Sequence, residues 1–139
     1  MTKIAILILV QLLSFNSYAQ DIVGKWKTID DNSGIAKSIV EVYEKDGEIF
    51  GKVIEIFNEA KQDVRCIDCE GVDEDRLVLG MDIIKNMEYE DEAYRNGTIT
   101  NPENGKIYDC RLKLEDDKLQ VRGYVAFFYR TQYWIRVEE

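Results

Sequence analysis

The segment KSIVEVYEKDGEIFGKVIEIF, residues 37–57, decides the fold class. Its two ends, residues 37–45 and 49–57, are dense in the β-branched and aromatic residues that strands prefer. Between them, Asp46 and Gly47 supply the positive φ that a tight hairpin turn needs. The segment therefore reads as two antiparallel strands. The rest of the chain decides whether this hairpin stands alone or is one unit of a larger sheet.

The pattern repeats in both directions. Residues 21–30 read as a strand with half-alternating polarity. Residues 58–76 form a polar break, and residues 77–87 are apolar again, as a strand or two short strands around Gly80. Residues 88–97 read as an acidic connector that ends in a turn at Asn96 and Gly97, followed by a short strand at residues 98–100. The single proline, Pro102, precedes a second turn pair at Asn104 and Gly105. Residues 106–115 alternate cleanly: Tyr108, Cys110, Leu112 and Leu114 share one face, and Asp109, Arg111, Lys113 and Glu115 the other. Residues 119–130 and 131–137 supply the last two strands.

The total is about eight strands joined by short turns. No amphipathic helix and no βαβ spacing breaks the series, which excludes a parallel α/β sheet. The expectation is an all-β chain: a single small antiparallel up-and-down β-barrel, which leaves no sheet edge exposed. An open sandwich is the alternative. Eight strands enclose just enough room for packed side chains or one small ligand.

Residues 1–19 stand outside this pattern. Lys3, an apolar run from residue 4 to residue 13, and small residues around Ala19 make the three-part pattern of a secretory signal. The apolar run is shorter than the ~20 residues that span a bilayer. The expectation is cleavage near Ala19, a barrel domain over residues 20–139, and a secreted or periplasmic protein with no stable membrane insertion. Net charge is −9, and losing Lys3 makes it −10. So acidic a chain repels phosphate, which argues against nucleic acid as a partner. The sequence contains no histidine. That removes Ser-His-Asp and Cys-His catalysis along with His-ligated zinc and haem.

The chain also resembles known families. Gly24, Lys25 and Trp26 are similar to the Gly-x-Trp of lipocalin-like barrels. There the tryptophan plugs one barrel end beneath a late-strand arginine, the place that Arg136 occupies in this chain. Four segments together resemble a secreted bacterial family named domain of unknown function 2147. These are residues 23–53, the Cys-Ile-Asp-Cys of residues 66–69, residues 101–124 and residues 130–137. The resemblance implies a small secreted β-barrel, carries no activity, and marks Gly24, Trp26, Asn104 and Gly105 as structural. The chain departs at Tyr129, where the family often has glycine before Arg-Thr-Gln, so the turn before the last strand is expected to differ.

Cys66 and Cys69 sit among acidic residues, a field that raises a thiol pKa and disfavours thiolate chemistry. A redox enzyme and a metal site are the alternatives considered, but a second Cys-x-x-Cys is absent. The expected role is a disulfide between Cys66 and Cys69 that ties the loop, with no metal or other cofactor. Cys110, the third cysteine, lies on an apolar face as a small hydrophobe. The rival pairing joins Cys110 to Cys66 or Cys69.

The last strand places Arg130, Gln132, Trp134 and Arg136 on one face. If that face looks inward, buried guanidinium groups must meet an internal carboxylate or the anion of a ligand. Arg122 and Tyr124 are expected to join from the neighbouring strand. These six residues form the candidate site for a small anionic or amphipathic ligand. In the opposing reading Arg136 is a plug stacked on a tryptophan, Arg122 and Arg130 lie outside, and the barrel is filled. The chain would then be a structural or interaction protein whose partner is an envelope protein.

Overall fold

The computed structural model describes residues 21–138, so the signal-like residues 1–19 and the two outermost residues of the expected domain lie outside the described residues. Ten strands appear in chain order: β1 (Gly24–Ile29), β2 (Ala36–Lys45), β3 (Glu48–Ile56), β4 (Arg65–Cys66), β5 (Arg76–Leu77), β6 (Asp82–Glu90), β7 (Ala93–Thr100), β8 (Ile107–Glu115), β9 (Lys118–Val125) and β10 (Phe128–Arg136). Eight of them close into an antiparallel barrel in the order β1-β10-β9-β8-β7-β6-β3-β2, while β4 and β5 pair separately. The barrel is therefore up-and-down, interrupted only by the excursion between β3 and β6. Among the described residues, no helix is long and apolar enough to cross a membrane.

The hairpin of residues 37–57 forms as read: Asp46 and Gly47 turn the chain at φ 53° and 81°, and Tyr43 pairs with Phe50. Two turn positions differ from the sequence reading. The acidic connector is not a loop. It forms the end of β6, a turn at Asp91 and Glu92 (φ 51° and 63°), and the start of β7. Asn96 (φ 65°) is instead a bulge residue inside β7, where the register against β8 shifts between Tyr94 and Gly97. A Cβ on Gly97 would run into the backbone carbonyl of Lys85, so the glycine here admits a neighbouring strand rather than a turn. The last hairpin turns at Ala126 (φ 52°) and Phe127, not at Arg130. No glycine marks this turn, and the aromatic run around it has strand composition.

The two barrel ends are built differently. At one end, beneath the turns at residues 46–47, 91–92 and 116–117, large side chains fill the interior. Trp26, Val42, Met87, Leu112 and Leu119 are fully buried there. The closing pair of strands places Trp26 opposite Arg136. The guanidinium carbon of Arg136 lies 4.3 Å from the Trp26 ring centroid. Arg136 also donates to the carbonyls of Asp21 (2.8 Å) and Val23 (3.3 Å). The Trp26 indole N–H donates to the Ile22 carbonyl at 2.9 Å. Gly24 has φ +141°, and a Cβ there would sit 2.9 Å from Arg136 Nη1. The spacing of glycine and tryptophan thus has a steric cause: the glycine leaves room for the arginine that covers the tryptophan.

Two substitutions test this seal by urea unfolding. Trp26→Ala should lower stability by about 3–5 kcal/mol through loss of a fully buried ring. Arg136→Met should cost roughly 1–3 kcal/mol, the scale of one cation–π contact and two charged hydrogen bonds.

Candidate functional site

The opposite end of the barrel is open because the inward side chains shrink towards it. Along β1 the inward series runs from Trp26 to Thr28, and along β2 from Val42 and Val40 to Ser38 and Ala36. Along β9 it runs from Leu119 and Val121 to Gly123. A cavity of about 770 Å³ results, within the range of small-molecule sites. Val53, Ile56, Ile83, Ile99 and Val121 make its walls apolar, with Tyr108 beside them and Trp134 below. Gly123 faces Tyr108 and Ile99 at ordinary contact distance and adds no side chain of its own.

Polar groups gather at two levels. Within the wall, the Thr28 and Ser38 hydroxyls bond to each other at 2.8 Å. The Trp134 indole N–H donates to Gln132 Oε1 at 2.9 Å, which fixes the Gln132 amide above the buried ring. At the rim, the β1–β2 loop folds across towards β10. Asp30 shapes this loop: its Oδ1 accepts the backbone N–H groups of Ser33 (2.8 Å) and Asn32 (2.9 Å). Lys37 lies 3.1 Å from its Oδ2. The Ser33 N–H first, then Lys37 and the Asn32 N–H, hold the Asp30 carboxyl well below the usual carboxylate range. Asp31 then reaches β10. Arg130 donates to its Oδ2 from Nη2 (2.8 Å) and Nε (3.1 Å), and Gln132 Nε2 lies 3.4 Å from its Oδ1.

The structure brings together three of the six expected site residues. Arg130, Gln132 and Trp134 line the cavity in that order from rim to floor. Arg136 shares their face but lies at the sealed end over Trp26. Arg122 and Tyr124 do not join. They alternate with the inward residues Val121, Gly123 and Val125 and so occupy the other face of β9. There Arg122 donates to Thr131 Oγ1 at 3.0 Å and stacks 4.3 Å from the Tyr129 ring centroid. The Tyr124 and Tyr129 rings lie 5.8 Å apart. The sequence reading missed Asp31, Thr28 and Tyr108. Thr28 shares a face with Trp26 and Tyr108 with Cys110, so the period of two carried both. Asp31 is 99 residues from Arg130 and carried no local signal.

The mouth is braced from one side. Cys66 and Cys69 form a disulfide, buried in the excursion between β3 and β6. The cysteines lie on β4 and in the turn after it, with no α-helix following. The β7–β8 turn packs against them: Gly105 (φ +72°) abuts the Asp68 carbonyl so closely that a Cβ would overlap it. Asn104 Oδ1 accepts the Lys106 N–H at 2.9 Å. On the same side, buried Asp73 pairs with Lys85. Cys110 is free and buried, and burial pushes its thiol up to about 12.

A family model described as "Uncharacterized protein conserved in bacteria (DUF2147)" matches residues 24–136. No curated protein matches the chain. Among solved structures, the barrel is similar to protein HP1028 from the human pathogen Helicobacter pylori, described as belonging to the lipocalin family. The TM-score is 0.73 at 18% identity, over 86% of this chain and 84% of that one. At that identity the likeness is one of fold.

The thiol arrangement makes two measurable statements. Peptide mapping without reduction should find Cys66 linked to Cys69, and a thiol reagent should label Cys110 only after denaturation. The raised Cys110 pKa also has a pH signature. Between about 9 and about 12 the unfolded chain loses this proton and the folded chain keeps it. The group's contribution to stability is therefore complete below pH ~9 and falls as pH rises through that window. A Cys110→Ala variant should show a shallower alkaline decline.

Proposed function

The chain belongs to the DUF2147 family and carries a lipocalin-like barrel, and we propose that it is a binding module for one small amphipathic molecule. The apolar body of the ligand lies in the open half of the barrel, and its polar head meets Gln132 and Arg130 at the rim. The cavity of about 770 Å³ carries this reading. A barrel with a purely structural role has no use for inward side chains that shrink towards one end, whereas a binder requires it. The alternative of a filled barrel that acts only through its outer surface fits the packed half and not the open one. A thiol–disulfide enzyme is supported less, because the Cys66–Cys69 bridge is buried and lacks the helix N-terminus that would stabilise a thiolate.

We place this activity outside the cytoplasm. The signal-like pattern of residues 1–19 supports export, and the Cys66–Cys69 bridge suits an oxidising compartment.

The binding reading is tested by filling the cavity. Gly123 has an ordinary backbone, and a Cβ there would meet Tyr108 and Ile99 at no closer than ordinary contact distance. Gly123→Leu should therefore project into the cavity with a melting temperature close to that of the parent. Uptake of the neutral dye Nile red should fall by about tenfold or more, the cost of roughly 1.4 kcal/mol of lost contact. Equal uptake by both proteins would remove the cavity as the binding site. Native mass spectrometry of the parent should in addition reveal a co-purified small molecule.

A further inference from the structure

We propose that Asp31 is an internal stand-in for the head group of the ligand, and that the cavity selects carboxylates with an apolar tail. This rests on the binding reading above and names the ligand class. Two facts carry it. The first is what holds the Asp31 carboxylate: one oxygen takes both donors of Arg130, and the other faces the Gln132 amide. Together these donors form a receptor for one carboxylate. They belong to the inward face of β10, directly above the Trp134 floor and flush with the apolar walls.

The second fact is where the occupant comes from. Asp31 is not part of the barrel wall. It belongs to the β1–β2 loop, whose own shape is maintained by Asp30 and its bonds to Asn32, Ser33 and Lys37. The loop therefore keeps its form when Asp31 lets go. The Arg130 side chain is 68% exposed and that of Asp31 23%, so their ion pair is solvated and weakly held. An incoming carboxylate whose tail enters the cavity offers Arg130 and Gln132 the same two oxygens and adds apolar burial that Asp31 cannot supply. It displaces Asp31 and frees the loop from β10. Asp31 thus lowers the apparent affinity for carboxylates by competing for the receptor, whereas a neutral molecule enters the cavity with the Asp31–Arg130 pair left in place.

Decanoate and 1-decanol, which differ only at the head, provide the test. Each is titrated calorimetrically into the purified protein and into Asp31→Asn, Arg130→Met and Glu103→Gln, with Nile red as a neutral cavity probe. All four proteins should melt alike, since the changed groups are exposed or rim-placed. Asp31→Asn should bind decanoate about fivefold more tightly, and Arg130→Met about fivefold more weakly, with decanol unchanged in both. Glu103→Gln removes the same unit of negative charge from the rim without touching Arg130, and should leave decanoate binding within about twofold. If both ligands bind but decanoate is unmoved in Asp31→Asn and Arg130→Met, or moves equally in Glu103→Gln, the stand-in role is overturned while the cavity remains a binding site. If neither ligand nor Nile red binds any of the four proteins, the binding reading itself falls and this inference with it.

Discussion

The contact between Trp26 and Arg136 is the constraint on which the rest depends. A barrel exists only if its first and last strands meet, and here β1 and β10 are held over a short register. Unpaired, both would present edges to solvent and to other chains. Arg136 does more than pair with a strand. It covers a fully buried indole and binds the carbonyls of Asp21 and Val23, so the segment before β1 is drawn across the barrel end. Ile22 then enters the core, and its carbonyl accepts the hydrogen bond of the indole N–H. One cluster closes the ring, caps the bottom and ties the N-terminal segment to the last strand. Gly24 is its steric condition.

Because the seal concentrates packing at one end, the other end can stay open. A dry void inside a protein is costly, since the atoms lining it lose contacts that nothing replaces. An opening at the mouth of a barrel is different, because solvent enters it and its polar rim remains hydrated. An eight-stranded barrel is just wide enough for either side chains or a small ligand. This chain uses both options, one at each end, and the switch lies in the inward residues: Trp26 gives way to Thr28, Val42 to Ser38, Leu119 to Gly123. The disulfide loop and the turn at residues 101–106 brace that mouth from outside.

Much of this was legible in the residues. The hairpin at Asp46 and Gly47, the alternation of residues 106–115 and the Cys66–Cys69 bridge followed from local chemistry, and the closing roles of Trp26 and Arg136 from the resemblance of Gly24-Lys25-Trp26 to lipocalin-like barrels. What failed, failed for three physical reasons. Positive φ is the mark of a turn only when the residue type announces it. Asp91, Glu92 and Ala126 adopt it without doing so, while Asn96 adopts it inside a bulge. The period of two also says which residues share a face but not which face is inside. Arg122 and Tyr124 flank Gly123 on the strand next to Arg130, yet the register between β9 and β10 pairs Arg122 with Thr131 and turns it outward. Asp31 belongs to a third kind, an ion pair between distant positions that no window along the chain can display.

The two inward arginines of β10 show how register alone separates structural from exchangeable interactions. Both carry the same group, and both lie on the same face six positions apart. Arg136 covers a fully buried ring and gathers the carbonyls of Asp21 and Val23, so its removal uncovers the indole and unties the segment before β1. Arg130 meets a carboxylate at a solvated rim, where the net worth of an ion pair is about 0–1 kcal/mol. Water or another anion can replace that partner at little cost. The first arginine is therefore fixed by the fold and the second is merely parked by it. A barrel that keeps its strong contacts at the sealed end and its weak ones at the mouth can exchange a ligand without loosening the closure that makes it a barrel.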